Sequence, residues 1–445
     1  MELGTLGVNS YFSSFHPNMP RQPMSSTDTV NNAQNSHAQA LSGPLKGIKV
    51  IELGQLIAGP FAAKTLAEFG ADVIKIESPK GGDPLRQWRI MQGDASLWWQ
   101  VQSRNKRSLA LDLKQPEAQD IVRELLKGAD VLIENFRPGT LESWGMGPQD
   151  LAALNPRLIV LRISGYGQTG PYKDKPGFGV IAEAMGGMRH LTAEPSRVPV
   201  RVGVSIGDTL AALHGVIGIL MCLIERERSG LGQVIDIALY EAVFNCMESL
   251  LPEYSAKGIV REAAGSALPG IAPTNAYRCQ DGGYALIAGN GDSIFKRLMN
   301  AIGRNDLGQD PELEHNAGRV KRVQEIDLAI ESWSLQRSVD EVLRILDEAQ
   351  VPAGKIYTVA DIAKDPHYLA RGMIESITLR DGFELQVPGP TPKLSRTPAN
   401  RVHLAPEIGE HTLQTLKEIG LNDEQIQVLL EKGIIGAAPQ PRVAL

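Results

Sequence analysis

The amino-acid sequence predicts an α/β protein built around an open, doubly wound parallel sheet. From Pro44 onward, short apolar runs alternate with stretches of helical periodicity, which is the pattern of strands joined by helices. The first of these elements form a βαβ unit, and polar or glycine-rich loops follow the predicted strands. Ligands of such sheets bind at the carboxyl ends of the strands, so these loops are the candidate binding site.

The first βαβ unit consists of a strand, a turn, a helix and a second strand. We predict these elements at residues 48–53, 54–60, 61–69 and 72–77. A dinucleotide-binding unit would carry G-x-G-x-x-G after its first strand, whereas the glycines here are Gly54 and Gly59. Nicotinamide and flavin binding are therefore disfavoured, and the sequence also lacks a Walker-type lysine motif.

The elements that follow extend the same sheet. A strand is predicted at 108–113, followed by a helix at 116–127 that begins with proline and is followed by glycine. Two more apolar runs, at 131–134 and 158–163, predict further strands. Helices between successive strands favour parallel pairing, which completes the α/β prediction.

Composition and charge exclude several functional classes. The chain has 445 residues, 45 of them basic and 51 acidic, for a formal net charge of -6. No overall attraction to nucleic acid or to anionic membranes is therefore expected, and no apolar run of about 18 residues predicts a membrane span. The cysteines, Cys222, Cys246 and Cys279, lack metal-ligand spacing and indicate reduced thiols in a reducing compartment.

The first 43 residues differ in composition from the rest and predict a disordered extension. They are rich in Ser, Asn, Gln, Pro and Met and show no periodicity. A mitochondrial targeting peptide is the alternative, but Glu2 and the absence of any basic residue before Arg21 do not fit one. We therefore expect a cytoplasmic protein, with the mitochondrion as the alternative compartment.

Basic residues are concentrated near the loops that follow the predicted strands. The loops are predicted at residues 54–60, 77–89, 134–139 and 164–171. Six arginine and lysine residues accompany them: Arg86, Arg89, Arg104, Lys106, Arg107 and Arg137. A phosphate-bearing ligand would use such groups, because arginine gives bidentate contacts and lysine a point charge. A solvated basic surface is the alternative.

Asp208 is the candidate catalytic residue. It stands between Gly207 and the start of an apolar helical run. An aspartate in this setting is most often a helix cap, because its carboxylate accepts hydrogen bonds from unpaired backbone N–H groups. The same geometry would also present a carboxylate nucleophile, and the local residues alone leave both roles open.

Nine short motifs resemble, in the same order, those of the class III CoA-transferases. They lie at residues 47–53, 58–61, 70–77, 105–108, 134–139, 165–171, 184–187, 207–208 and 230–237. Each motif alone is weak, but nine in register between Leu45 and about Leu416 identify the chain as a member of that family.

The resemblance implies a two-domain chain and an interlocked homodimer, in which two ring-like chains thread through one another. A Rossmann-like large domain would occupy residues 44–261, and a smaller α+β domain would occupy residues 262–350. The chain would then return to the large domain and its C-terminal helices over residues 351–435. The tail, residues 436–445, carries no motif.

The resemblance also implies an acyl-CoA and a small carboxylic acid as substrates, with no permanently bound cofactor and no metal. The catalytic aspartate of the family falls on Asp208. It would form an acyl anhydride and then an aspartyl-CoA thioester, since an ionised carboxylate needs no base to attack a thioester. Coenzyme A would lie near Leu56, Ile57, Ala58, Lys106, Asn135 and Phe136, with Arg104 and Arg137 adding positive charge.

The same resemblance narrows the substrate. Residues 263–273 lack the run of glycines found over the active site of formyl-CoA transferases, so formyl-CoA and oxalate are not favoured. Residues 273–284 resemble the succinyl-CoA:dicarboxylate branch, which favours a dicarboxylic acyl-CoA donor. A bidentate guanidinium would suit its distal carboxylate, although a surface ion pair is the favoured role for any single candidate. The candidates are Arg162, Arg189, Arg197 and Arg201.

Two alternative functions remain. Acyl-CoA racemases of the same fold remove a proton with a histidine in a Gly-His-Asp segment, whereas this chain has Gly177-Phe178-Gly179 at that place. The neighbouring His190 and His214 are interpreted as structural. A CoA-binding protein without catalysis is the other alternative, and the presence of Asp208 argues against it.

Overall fold

The structure is a computed structural model that describes residues 41–438. The predicted disordered extension, residues 1–43, lies outside the described residues except for its last three. The predicted tail, residues 436–445, lies outside them except for its first three. Both stay predictions.

The strands of the described residues are short, and most are buried. They are β1 (Lys49–Glu52), β2 (Asp72–Glu77), β3 (Met91–Gln92), β4 (Ala95–Ser96), β5 (Lys106–Leu111), β6 (Val131–Glu134), β7 (Ile159–Ser164), β8 (Val234–Ala238), β9 (Thr274–Arg278), β10 (Tyr284–Ala288), β11 (Ala353–Lys355), β12 (Ile374–Thr378), β13 (Glu384–Pro388) and β14 (Ile435–Gly436).

Seven strands form the main sheet, in the order β14-β5-β2-β1-β6-β7-β8. Neighbouring strands are parallel, except that β14 runs antiparallel to β5. The chain moves outward from β1 through β2 to β5, and then returns to the other side of β1 and continues from β6 through β7 to β8. This reversal beside β1 is the switch point of a doubly wound sheet, and it confirms the predicted α/β fold.

The α-helices of the described residues include one long helix and many short ones. They are α1 (Ala58–Glu68), α2 (Leu97–Gln102), α3 (Pro116–Lys127), α4 (Thr140–Ser143), α5 (Pro148–Leu154), α6 (Gly179–Met185), α7 (Met188–Leu191), α8 (Ile206–Ser229), α9 (Leu239–Phe244), α10 (Leu250–Lys257), α11 (Asp292–Ala301), α12 (Asn305–Gly308), α13 (Asn316–Lys321), α14 (Val323–Ser334), α15 (Val339–Glu348), α16 (Val359–Ile362), α17 (Pro366–Ala370), α18 (Thr412–Glu418) and α19 (Asp423–Glu431). Short 3-10 turns lie at Pro84–Gln87 and Pro311–Leu313.

Most predicted elements occur within one residue of the predicted bounds, and two elements differ by more. Helix α1 begins at Ala58 rather than at residue 61. Strand β5 begins at Lys106 rather than at residue 108, and all six of its residues are buried. This buried strand begins with charged residues, because carboxylates from other segments neutralise them. A local sequence pattern does not reveal such distant partners.

Two cores cover the two faces of the main sheet. One is formed with α3, whose buried residues Ala118, Ile121, Val122, Leu125 and Leu126 follow the three- and four-residue spacing of an apolar helix face. The other is formed with α1 and α8. Because helices protect both faces, the central strands are continuous apolar runs rather than alternating ones.

Helix α8 crosses one face of the sheet and ends at Gly230, which has a left-handed φ of 77°. A Cβ on Gly215 would lie 2.7 Å from Leu161, so the helix needs glycine there to reach the strand. By length and composition alone, this helix is apolar enough to cross a membrane, and 39% of its most apolar window is buried in the protein. The expectation that no segment could span a membrane therefore needs this qualification.

A second region has its own sheet and core. Strands β9, β10 and β11 form an antiparallel sheet in the order β11-β10-β9. Helices α11, α14 and α15 contribute to its core, whose buried residues all lie between Tyr277 and Val351. This region falls within the span expected for the smaller domain, and the domain boundaries themselves stay predictions.

Candidate active site

The loops after β1 and β6 meet at the carboxyl edge of the sheet. The Asn135 side chain joins them: its Oδ1 accepts from the Gln55 N–H at 2.8 Å, and its Nδ2 donates to the Gln55 carbonyl at 2.9 Å. The first loop is tight, because a Cβ on Gly54 would lie 2.9 Å from the Cα of Gly59. The structure thus brings the predicted CoA-contact segments, residues 56–58 and 135–136, to one edge.

Leu56, one of the predicted contact residues, has an unusual left-handed backbone with a φ of 63°. Its N–H donates to the Asp83 carboxylate at 3.1 Å. A leucine costs roughly 1–3 kcal/mol in this conformation and keeps it only where surrounding contacts enforce it. Asp83 is therefore part of what shapes this loop, and the sequence patterns did not single it out.

A fully buried cluster of charges lies beneath the same loop. Lys75 Nζ lies 2.8 Å from Asp83 and 3.3 Å from Glu52, and Lys106 Nζ lies 2.8 Å from Glu52. Burial lowers the pKa of Lys106 to about 8, against the attraction of Glu52. Burial also disfavours the ionised form of Asp83, but the Lys75 ammonium outweighs it and holds the pKa of Asp83 below its usual range.

Arg104 and Lys106, two of the residues predicted to lie near CoA, have buried side chains in this structure. Lys106 is 0% exposed, and besides Glu52 it donates to the Pro60 carbonyl at 2.9 Å. Arg104 is buried in an ion pair with Glu68. Both charges already have partners inside the fold, because an unpaired charge is costly to bury.

Two further members of the basic group are also paired. Arg86 donates to Glu77 through Nε at 2.8 Å and Nη2 at 2.7 Å. Arg107 makes a similar two-point contact with Asp72, at 3.0 and 2.7 Å, and a third contact with Glu418 at 2.8 Å. The group is thus largely a set of structural ion pairs, and not the solvated basic surface that was the alternative.

The remaining two basic residues are exposed. Arg137 follows Phe136, whose ring packs edge-on against Trp144 with centroids 5.4 Å apart. The Arg89 guanidinium lies over the Trp98 ring, 4.8 Å from its centroid. Arg137 is therefore the member of the predicted CoA-contact set whose charge reaches solvent at the carboxyl edge.

Asp208 lies in the first turn of α8 but does not cap it. The N-cap residue is Ser205, and Asp208 is the third residue of the helix. The helix-cap alternative is therefore wrong. A carboxylate in the first turn still interacts favourably with the positive end of the helix dipole.

The Asp208 carboxylate packs directly against Gly179, the first residue of α6. A Cβ on Gly179 would overlap Oδ2 of Asp208 and lie 2.8 Å from its Cγ. A neighbouring glycine contact sets this geometry, because a Cβ on Gly165 would lie 2.8 Å from the Cα of Gly177. The glycine-rich loop after β7 thus allows the chain at 177–179 to approach the Asp208 carboxylate.

Glu183 and Arg201 set the electrostatics of Asp208. Burial and, second to it, the negative charge of Glu183 raise the pKa of Asp208 to about 6, while Arg201 acts in the opposite direction. Glu183 is only 1% exposed, and its Oε1 accepts from Arg201 Nη2 at 3.4 Å. Sequence patterns missed Glu183, because it lies on a different segment and is brought to Asp208 only by folding.

The four arginines considered for a substrate carboxylate lie in different settings. Arg162 is buried, with Nε 2.7 Å from Glu134 and Nη1 2.7 Å from Glu142, so its charge is already used. Arg197 lines an open groove of about 600 Å³. Arg189 and Arg201 both approach Glu183, and so lie on the Asp208 side of the molecule.

The two histidines near this region have local partners. His214 Nδ1 lies 2.8 Å from the Leu210 carbonyl, one turn earlier on α8. His190 Nε2 lies 3.1 Å from the Glu262 carboxylate, and both of these side chains are exposed. Where the racemase pattern would have its histidine, Phe178 stands exposed.

Asp208 is partly buried in this chain. Among residues 41–438, cavities of about 430, 600 and 730 Å³ open elsewhere, and Asp208 lines none of the three. The same residues contain no group of three or more histidines, cysteines and carboxylates positioned to hold a metal ion. The chemistry available at Asp208 is therefore that of a buried carboxylate beside a second carboxylate and two arginines.

Comparison with known proteins gives one consistent result. The family model described as CoA-transferase family III matches residues 45–412. Succinyl-CoA–D-citramalate CoA-transferase of Chloroflexus aurantiacus is 45% identical over 394 residues, covering 88% of this chain and 98% of that protein. Succinate–glutarate CoA-transferase of Agrobacterium fabrum is 36% identical over 385 residues, covering 84% and 96%.

A solved structure agrees with the sequence comparison. The crystal structure of a CaiB/BaiF family protein from Brucella suis superimposes with a TM-score of 0.75 at 36% identity. The match covers 85% of this chain and all of that chain. The fold and the sequence therefore lead to the same family.

Proposed function

The chain belongs to CoA-transferase family III, and from this membership we propose that it moves CoA from a dicarboxylic acyl-CoA, such as succinyl-CoA, to a free carboxylic acid. The observation that carries the proposal is the buried Asp208 carboxylate, held against Gly179 with a pKa raised to about 6 by burial. Such a carboxylate is ionised at neutral pH and more basic than an ordinary aspartate, which favours nucleophilic attack.

The reaction proceeds by acyl exchange on Asp208. An Asp208 oxygen attacks the donor thioester carbonyl, the C–S bond breaks, and CoA leaves as the thiolate. The thiolate then attacks the Asp208 carbonyl of the mixed anhydride, which releases the donor acid and leaves an aspartyl-CoA thioester. Each step replaces one activated acyl group by another, so the thioester energy is kept and ATP is not required.

The second half of the reaction reverses the first with a new acid. The acceptor carboxylate attacks the aspartyl-CoA thioester and expels CoA thiolate, which then attacks the acceptor acyl carbonyl of the new anhydride. The products are the acceptor acyl-CoA and free Asp208. Backbone N–H groups of the glycine-rich loops would stabilise the tetrahedral oxyanions.

Coenzyme A would bind at the carboxyl edge of the sheet, beside residues 56–58 and 135–137. Support comes from the Asn135 hydrogen bonds that join these two loops and from the exposed Arg137 charge. Arg104 and Lys106 would stabilise this edge from below rather than contact phosphate. The resemblance instead implied that Lys106 and Arg104 lie near CoA themselves.

The proposal of a dicarboxylic acyl-CoA donor is supported by the names of two relatives. The Chloroflexus and Agrobacterium proteins bear names that specify succinyl-CoA with D-citramalate and succinate with glutarate. The Arg189 and Arg201 guanidiniums beside Glu183 supply positive charge on the Asp208 side of the molecule. We propose cytoplasm as the compartment, with mitochondrion the alternative, because reduced cysteines fit either.

We also propose that the active unit is a homodimer. Helix α8 bears a stripe of apolar side chains that are 38–63% exposed. A contiguous exposed apolar surface of this kind marks a protein–protein interface. The stripe consists of Leu213, Ile217, Leu220, Met221 and Ile224. A second copy covering it would also enclose Asp208, which is only partly buried in this chain.

Trapping of the enzyme intermediate tests the proposal. The protein is incubated with succinyl-CoA and a panel of free acids, quenched with hydroxylamine, and digested for mass spectrometry. We expect CoA exchange together with a hydroxamate on the peptide that contains Asp208, and neither with the Asp208→Asn variant. Loss of an α-proton into heavy water without acid exchange would instead support the racemase, and CoA binding without either reaction would support a binding protein.

A further inference from the structure

Glu183 and Arg189 form a buried pair that lacks normal hydrogen bonds. Glu183 Oε2 lies 3.7 Å from Arg189 Nε, beyond the 2.7–2.9 Å or so of a charge-assisted hydrogen bond. Both atoms are buried, and neither has a hydrogen-bond partner among residues 41–438. Native proteins rarely leave such groups unsatisfied, so this pair indicates a position that a polar ligand group completes.

Arg201 extends the same cluster toward solvent. Its Nη2 lies 3.4 Å from Glu183 Oε1, and its side chain is 42% exposed, whereas the Glu183 side chain is 1% exposed. The Arg189 side chain is 26% exposed. Glu183 therefore holds two guanidiniums that a small molecule can still reach.

The cluster lies beside the nucleophile. The Cγ of Glu183 would lie 3.5 Å from a Cβ on Gly207, the residue that precedes Asp208. The charges of Glu183 and Arg201 both act on the Asp208 carboxylate. A group bound by Arg189 and Arg201 would thus belong to a molecule that reacts at Asp208.

The charge balance of the cluster favours an acyl group with a carboxylate of its own. At rest, the carboxylates of Asp208 and Glu183 balance the guanidiniums of Arg189 and Arg201. Acylation of Asp208 removes one negative charge. A dicarboxylic acyl group replaces it with its distal carboxylate, whereas a monocarboxylic acyl group leaves the two partly exposed guanidiniums with only Glu183 as their counter-ion, which is unfavourable.

We propose that Arg189 and Arg201 bind the distal carboxylate of the acyl group, and that Glu183 is the counter-ion that positions both guanidiniums while the site is empty. This inference rests on the proposed function and adds the residues that select a dicarboxylic substrate. Glu183 is a positioning residue, since it acts through the arginines and through Asp208. The other buried arginine that was considered, Arg162, is excluded because two glutamates already hold it.

The test compares two donors that differ only at the distal group. Succinyl-CoA and butyryl-CoA have the same chain length, but butyryl-CoA has a methyl group where succinyl-CoA has the carboxylate. We expect Arg201→Ala and Arg189→Ala each to lower kcat/KM for succinyl-CoA by roughly tenfold to a hundredfold, as the loss of a charged hydrogen bond does. The kcat/KM for butyryl-CoA, which lacks the distal carboxylate, should change by less than about threefold.

A matched control is Arg228→Ala, which removes an exposed arginine from the far end of α8 and should leave both donors unaffected. Equal losses with the two donors in Arg201→Ala and Arg189→Ala would overturn the inference, because a general structural role has no preference for a distal carboxylate.

Glu183→Gln provides a second, independent readout. The substitution keeps the shape of the side chain but removes its charge, so the arginines lose their resting counter-ion. We expect a lower KM for succinyl-CoA and an acid limb of the pH–rate profile that shifts to lower pH. An unchanged KM and an unchanged pH profile would contradict the role of Glu183.

Binding measurements separate failure of this inference from failure of the proposed function. If the wild-type protein transfers CoA from neither donor, the proposed function fails. Calorimetry then decides the inference: wild type should bind succinyl-CoA more tightly than butyryl-CoA, and Arg201→Ala should lose that difference. Equal affinity of the wild type for the two thioesters would overturn the inference whether or not transfer occurs.

Discussion

The carboxylate of Asp208 occupies the space where any side chain at Gly179 would begin. A Cβ built on Gly179 overlaps Oδ2 of Asp208 and lies 2.8 Å from its Cγ. Gly179 and Asp208 are thus one structural unit, although 28 other residues separate them in the chain. This contact leads to the first prediction.

Gly179→Ala should reduce turnover by about a hundredfold or more while the protein stays folded. The added methyl group must displace the Asp208 carboxylate. A displacement of a reacting group by about 1 Å lowers the rate by about a hundredfold. Steady-state kinetics with succinyl-CoA measures the effect, and circular dichroism checks the fold. Gly128→Ala is the control, since a Cβ there meets nothing within 4 Å. Near wild-type turnover in Gly179→Ala would show that catalysis does not need this placement.

The pH dependence of kcat/KM should follow the ionisation of Asp208. Its pKa is raised to about 6, mainly by burial, and the proposed nucleophile is the ionised form. The rate should therefore be constant above about pH 7 and fall about tenfold per pH unit well below pH 6. Initial rates measured in overlapping buffers test this, and a rate that stays constant down to about pH 4.5 would contradict it.

Asp208→Asn should stabilise the protein at neutral pH. The folded-state pKa of Asp208, about 6, exceeds the ordinary 3.8, so its ionised form destabilises the folded state at any pH above about 6. Allowing for partial solvent exposure, we expect a gain of roughly 1–3 kcal/mol in the free energy of unfolding. The gain should shrink as the pH falls from about 6 toward 4, where the native carboxyl becomes protonated.

Urea denaturation of both proteins at several pH values measures this difference. Glu227→Gln, on the exposed side of the same helix, is the control and should change stability by less than about 0.5 kcal/mol. Lower stability of Asp208→Asn at neutral pH would mean that the Asp208 charge is favourably paired rather than strained.

Lys106→Met should destabilise the protein by about 3–5 kcal/mol without a matching increase in KM for acyl-CoA. The substitution leaves the buried Glu52 with only Lys75, at 3.3 Å, as its counter-ion. The control is Lys127→Met, which breaks an exposed pair with Glu124 and should cost less than about 1 kcal/mol. Unchanged stability with a strongly raised KM would instead assign Lys106 to phosphate binding.

Ile224→Glu should separate the proposed dimer. The residue lies near the end of the exposed apolar stripe of α8 and is 63% exposed. A charge buried at an interface without a partner costs several kcal/mol, which is enough to dissociate two copies at micromolar concentration. Sedimentation velocity should give twice the chain mass for wild type and one chain mass for the variant. A monomeric wild type with full activity would refute the dimer.

The sequence predicted the sheet well because the signals that define it are local. The buried strands β6 and β7 each begin with three apolar residues, and proline and glycine mark the ends of α3, so each element can be predicted from its own residues. Strand β5 was placed two residues late because its first residues are charged. The carboxylates that neutralise Lys106 and Arg107 lie on other segments.

The sequence by itself determined the α/β fold and, through its ordered motifs, the family, and it singled out Asp208 as the candidate nucleophile. Only the tertiary structure decided what surrounds each charge. It pairs Arg104 and Lys106 with buried glutamates, and it places Glu183 and Arg201 beside Asp208. The physical reason is that a strand or helix follows from neighbours along the chain, whereas the energy of a charge depends on burial and on partners that folding brings from distant segments.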